Sequence, residues 1–133
     1  MPTLQITSTA LPTSSKRAIA VRLTRWMAGR GIQIPHVVVR FTEEPRNSLF
    51  CGGVPIEADS AGTEGPRYAT AVCTIGADRD ERFRDELARE LTDALNAVIR
   101  PAFVYIEFRP IDSALVYLAL HGPARRATQL TRS

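Results

Sequence analysis

One spacing constrains this chain more than any other. The strand-like run TLQITST is followed by HVVVRF, 34 residues on from Thr3 to Val37. The run YATAVCTI is followed by AFVYIEFR at the same 34-residue interval, from Ala69 to Phe103. Each interval holds one helix-like segment, so a β-α-β unit recurs. Parallel strands need a long crossover, and a helix supplies it. The expected fold class is α/β of the two-layer α+β kind. It is a tandem β-α-β repeat, with a four-stranded sheet and two helices on one face. The expected boundaries are one domain over residues 1–122, with halves at about 2–45 and 67–110, and a basic flexible tail at 123–133.

Local signals support both helices. In SSKRAIAVRLTRWMAGRG, Ile19, Leu23, Trp26 and Met27 fall on one helical face. Thr13, Ser14 and Ser15 offer N-caps, and Gly29 and Gly31 sit where a C-cap belongs. In the second half Phe83, Leu87, Leu91, Leu95 and Val98 form an apolar stripe. Asp78 and Glu81 have capping-box spacing ahead of it. PRNSLFCGG reads as a turn, a short apolar segment and a glycine pair; residues 55–67 read as a loop, and ALVYLAL as a candidate fifth element. Val37, Val38, Val39, Val72, Cys73 and Thr74 do not alternate cleanly with polar residues. An apolar second sheet face is therefore expected, with self-association as its cover.

Charge and composition exclude several classes. The net charge is +3, yet Arg125, Arg126 and Arg132 lie in the last eleven residues, which hold no acidic residue. No basic stripe is interleaved with aromatics, so nucleic acid is not an expected partner. No apolar run approaches the ~20 residues of a membrane span. No basic segment precedes an apolar one at the N-terminus, so no signal peptide is expected. Cys51 and Cys73 lack metal-ligand spacing and fit free thiols in a cytoplasmic protein.

Pro2 carries the sharpest chemical question. A strand start tolerates proline, because the missing N–H is harmless there. If Met1 is removed, however, Pro2 bears a secondary amine at the chain terminus. In an apolar pocket such an amine has its charged form disfavoured and suits general-base work.

Pro2 and the 34-residue period, with three short stretches, resemble the tautomerase superfamily over about residues 2–120. Phe41, Glu43, Pro45, Phe50, Gly52, Gly53 and Val54 are similar to a pattern of the cis-3-chloroacrylic acid dehalogenase group. The Phe-Gly-Gly stretch also resembles one in macrophage migration inhibitory factor, whose Ser-Ile-Gly segment is similar to Thr74, Ile75 and Gly76. IGADR resembles a stretch of 5-carboxymethyl-2-hydroxymuconate isomerase, which has an arginine at the place of Arg79. The resemblance implies a homotrimer around a central barrel, with Pro2 at the base of a pocket near a subunit boundary. It implies proton transfer in 2-oxo acids or enols, or water addition to unsaturated carboxylates. No metal and no organic cofactor are implied, and the implied partner is a small carboxylate substrate.

In that frame Pro2 is the expected base. Arg79 is the expected carboxylate ligand, since a guanidinium can donate two parallel hydrogen bonds; the alternative is a surface arginine paired with Asp78 or Glu81. Arg40 shares a strand face with Val38 and Thr42, and is either a second ligand or an edge charge. Tyr105 and Glu107 lie two apart, hence on one face of the fourth strand. Glu107 is a candidate catalytic residue: a buried carboxyl could act as a general acid, an ionised one would favour protonated Pro2, and a solvent-facing one would do neither. Ile75, Phe50 and the Gly52–Gly53 pair are candidate pocket walls. His36 and His121 receive no role.

The departures from the resemblance matter equally. Where the dehalogenase has a histidine, a second arginine, a tyrosine and a glutamate, this chain reads roughly Met27, Gly76, Glu107 and Leu118. Hydrolytic dehalogenation is therefore not expected. The lysine of macrophage migration inhibitory factor falls near Ile32. The expected function is a tautomerase or isomerase of small 2-oxo, enol or unsaturated carboxylic acids. The alternatives are a hydratase or dehalogenase like the cis-3-chloroacrylic acid dehalogenase, and a trimeric binding protein that has lost dedicated catalysis.

Overall fold

Thr3 pairs with Val38 and Tyr68 pairs with Phe103, so both halves close a parallel strand pair at the same 35-residue offset. That is one residue more than the interval read from the sequence. The computed structural model describes residues 2–56 and 68–130. In the first half, β1 (Thr3–Ser8) leads through α1 (Thr13–Ala28) to β2 (Val38–Glu43). A short hairpin of β3 (Phe50–Cys51) and β4 (Val54–Pro55) follows. In the second half, β5 (Tyr68–Gly76) leads through α2 (Glu81–Val98) to β6 (Phe103–Ile111). The sheet order is β2-β1-β5-β6, and β1 and β5 run antiparallel at its centre. The expected four-stranded sheet with two helices is thus present. Pro110 sits within β6, an edge strand, where a missing N–H costs no ladder bond.

The core lies between the sheet and the two long helices. Leu4 and Ile6 from β1 and Ala69, Ala71, Cys73 and Ile75 from β5 are buried. They pack with Ile19, Leu23 and Met27 of α1 and Phe83, Leu87, Leu91 and Leu95 of α2. The small side chains of β5 share this core with the bulky leucines of α2, which fills the layer without overcrowding.

Several expectations change. The second sheet face is not broadly apolar. Alternation is strict along β5, and the outer face mixes Thr3, Gln5, Thr7, Arg40, Thr42, Thr70, Thr74 and Glu107 with Val38, Val72, Tyr68, Phe103 and Tyr105. The N-cap of α2 is Asp80, not Asp78: Phe83 N–H donates to Asp80 Oδ1 at 2.8 Å. The reason is a turn after β5, closed by Arg79 N–H to Gly76 C=O at 3.1 Å, which delays the helix. Pro12, not a serine or threonine side chain, stands at the N-cap of α1. Gly52 and Gly53 have φ of 60° and 81°, as a two-residue primed hairpin turn between β3 and β4 requires. Of the expected loop at 55–67, residues 57–67 lie outside the described residues, while Val54–Pro55 is strand.

The C-terminal segment also departs from the expected flexible tail. ALVYLAL resolves into a 3-10 turn at Ser113–Leu115 and β7 (Tyr117–Leu118). β8 (Arg125–Arg126) pairs antiparallel with β7, and a short helix α3 (Ala127–Leu130) follows. Ala127 is buried, and its N–H donates to Val116 C=O at 2.8 Å. An apolar anchor and a strand pair fix residues that composition alone marked as a solvated basic tail.

Candidate active site

The antiparallel register of β1 and β5 builds the site. Thr3 pairs with Thr74, so the residue before Thr3 and the residues after Thr74 meet at one end of the sheet. Pro2 is buried there, and its carbonyl accepts a hydrogen bond from Val38 N–H at 3.1 Å. Beside it opens a cavity of about 200 Å³. Pro2, Ile32, Ile75, Gly76, Asp78, Arg79, Phe83, Ser113 and Thr128 line it. Ala77 N–H donates to Ile111 C=O at 2.8 Å and ties the lining turn to the end of β6.

The lining divides by chemistry. Ile32, Ile75 and Phe83 form an apolar side next to Pro2. Arg79, Asp78, Ser113 and Thr128 supply the polar side. The Arg79 guanidinium lies over the Phe83 ring, 4.7 Å from its centre. Among the described residues no carboxylate lies within ion-pair distance of Arg79, so the sequence's alternative of a pair with Asp78 or Glu81 is not what holds it. An aromatic face holds a cation without neutralising it, which leaves its N–H groups for an anion. Outside this wall, a cleft of about 280 Å³ also touches Arg79. There Arg30 and Arg82 both pair with Glu86, and Arg30 stacks on Trp26 at 4.3 Å.

Three of the expected site residues therefore converge: Pro2, Ile75 and Arg79. The others do not join them within one chain. Tyr105 and Glu107 project from β6 on the sheet face away from the helices, and Tyr105 is 47% exposed. Glu107 is not a buried neutral acid. Arg109 Nε donates to its Oε2 at 2.6 Å and Tyr105 O–H to its Oε1 at 3.3 Å, and the Arg109 bond above all holds its pKa below the ordinary value. Arg40 is exposed on β2, on the face of Val38 and Thr42 as alternation requires. Phe50 stands on the β3–β4 hairpin, 56% exposed.

Sequence reasoning missed other lining residues. Asp78 is visible as a cap and as a possible partner of Arg79, and Phe83 only as part of a helix stripe. Ile32 carried no signal beyond the lysine it lacks. Ser113 and Thr128 sit in segments whose pairing is non-local, and no motif marks them.

Comparison with family models finds no match, and neither does comparison with curated proteins. Solved structures do match. Pt0534 inactivated by 2-oxo-3-pentynoate superposes with a TM-score of 0.75 at 18% identity, covering 98% of this chain and 99% of that one. Native fused 4-OT superposes at 0.70 and 23% identity, with the same coverage of both chains. N1, a member of the cis-3-chloroacrylic acid dehalogenase family, superposes at 0.72 and 16% identity, covering 92% of this chain and 82% of that one. Two other fused 4-OT structures, at 0.75 and 16% identity, are trimers, one asymmetric and one symmetric. This chain shares the fold of these structures, a small α+β architecture of two long helices on a four-stranded mixed sheet. Among the described residues, no helix is long and apolar enough to cross a membrane.

Proposed function

We propose that this protein is a cofactor-independent tautomerase of the tautomerase superfamily, acting on small 2-oxo, enol or unsaturated carboxylic acids. The observation that carries the reading is that Pro2 and an unpaired Arg79 line one small cavity. Arg79 holds the substrate carboxylate through charge-assisted hydrogen bonds. Pro2 carries the terminal amine once Met1, which lies outside the described residues, is removed. The amine nitrogen accepts the proton of the enol hydroxyl and returns a proton to the neighbouring carbon. The product is the keto acid, and nothing is gained or lost. Burial and the Arg79 charge favour the neutral amine, while the Asp78 carboxylate opposes them.

A cytoplasmic homotrimer is part of this proposal. Trimeric fused 4-OT structures with this fold support it. Tyr105, Glu107, Arg40 and Phe50 take part in catalysis only where a second copy brings them to the pocket. Glu107 then acts through its negative charge rather than as an acid, because Arg109 keeps it ionised. Adding one residue ahead of Pro2 tests the reading. Loss of enol-acid ketonisation is expected, with the oligomer size unchanged; full activity in the extended protein contradicts it.

A further inference from the structure

Asp78 lines the Pro2–Arg79 cavity, and the proton transfer leaves it unused. Its placement depends on Gly76. A Cβ built on Gly76 would stand 2.6 Å from Asp78 Oδ1 and 3.5 Å from Ser113 Oγ. The missing side chain is the space into which this carboxylate turns, beside Ile75 at the end of β5. Among the described residues no cation forms an ion pair with Asp78. Arg30 and Arg82 are both paired with Glu86, and among the described residues no ion pair joins Arg79 to Asp78. The cavity thus presents one unpaired cation and one unpaired carboxylate within about 200 Å³.

Such a site distinguishes ligands by charge. One carboxylate pairs with Arg79. A second carboxylate in so small a space meets Asp78, and the like-charge contact is repulsive. A neutral hydroxyl at the same place can donate to Asp78 instead. We propose that Asp78 is a specificity-determining residue that selects substrates with a single carboxylate and rejects those with two. The inference rests on the reading of the cavity as a carboxylate site, and it deepens that reading by naming the charge class of the substrate.

The test is binding of butanoate and butanedioate, followed by NMR shifts of the Gly76 and Arg79 amides. It is run in the native protein, in Asp78→Asn and in Gly76→Ala. Asp78→Asn keeps the size and removes the charge. Gly76→Ala keeps the charge and pushes the carboxylate away. Native protein is expected to bind butanoate more tightly. Both variants should shift the ratio of the two Kd values toward butanedioate by about tenfold, or ~1.4 kcal/mol. Tighter native binding of butanedioate overturns the proposal, as does an unchanged ratio in a folded Asp78→Asn. Silence of both amides toward both acids overturns it too. Ketonisation of phenylenolpyruvate separates the two ideas. A shifted ratio with Pro2-independent ketonisation keeps the charge selection and removes the tautomerase. An unshifted ratio with Pro2-dependent ketonisation does the reverse.

Discussion

The Arg79 guanidinium rests 4.7 Å from the centre of the Phe83 ring, and this contact places an uncompensated cation at the wall of the Pro2 cavity. Arg79→Ala should therefore lower kcat/KM for an enol acid by roughly ten- to a hundredfold, the range of a lost charge-assisted hydrogen bond. Arg79→Lys should recover part of the loss, since an ammonium keeps the charge but not the fork. The melting temperature should move little in either. Steady-state kinetics beside thermal unfolding check this, and equal kcat/KM in Arg79→Ala would remove the residue from the site.

The two helices are held by apolar burial, with one local cap. Leu91→Ala opens a void at a fully buried position between α2 and the sheet. It should cost about 3 kcal/mol in urea unfolding. Asp80→Ala removes the acceptor for Phe83 N–H and should cost about 1 kcal/mol. A cost for Asp80→Ala as large as that for Leu91→Ala would mean that the α2 cap does more than start a helix.

Glu107 gives a signed dependence on pH. Its folded pKa is lowered from 4.5, first by the Arg109 hydrogen bond and then by the Arg109 charge. At a given pH more of it is ionised in the folded state than in the unfolded state. Its stabilisation is complete above the ordinary value and is lost as pH falls through the lowered one. Denaturant unfolding of native protein and Glu107→Gln at a series of acidic pH values reads this out. The two curves should converge as pH falls below 4.5 and through the lowered value; parallel curves would show that the pair contributes nothing.

Cys73 lies in the apolar core, and burial pushes its thiol up to about 12. In the folded protein it should resist iodoacetamide at pH 8 and react only after unfolding. Mass spectrometry of alkylated peptides shows this directly. Rapid modification of Cys73 in native conditions would contradict its placement under the helices.

The fold was legible because it rests on local periodicity. The apolar stripe of Phe83, Leu87, Leu91 and Leu95 and the equal intervals after Thr3 and Ala69 are short-range patterns. Register was less so: Thr3 pairs with Val38 rather than Val37, because hydrogen bonding between strands, not the first apolar residue, sets the offset. The pocket was half legible. Pro2, Ile75 and Arg79 were expected together, and the antiparallel pairing of β1 and β5 explains why they meet. Asp78 was hidden by its second reading as a cap, and Thr128 by a tail whose order comes from Ala127 packing and from β7–β8 pairing. Tyr105 and Glu107 share a strand face as alternation requires, but alternation does not say what that face meets.

The central claim is that the Pro2 amine is the base. The direct measurement is ultraviolet-monitored ketonisation of phenylenolpyruvate by native protein and by Pro2→Ala under identical conditions. This account predicts a loss of at least a hundredfold in kcat/KM for Pro2→Ala, within the range that general-base catalysis supplies, with unchanged folding. Equal rates in the two proteins would contradict it.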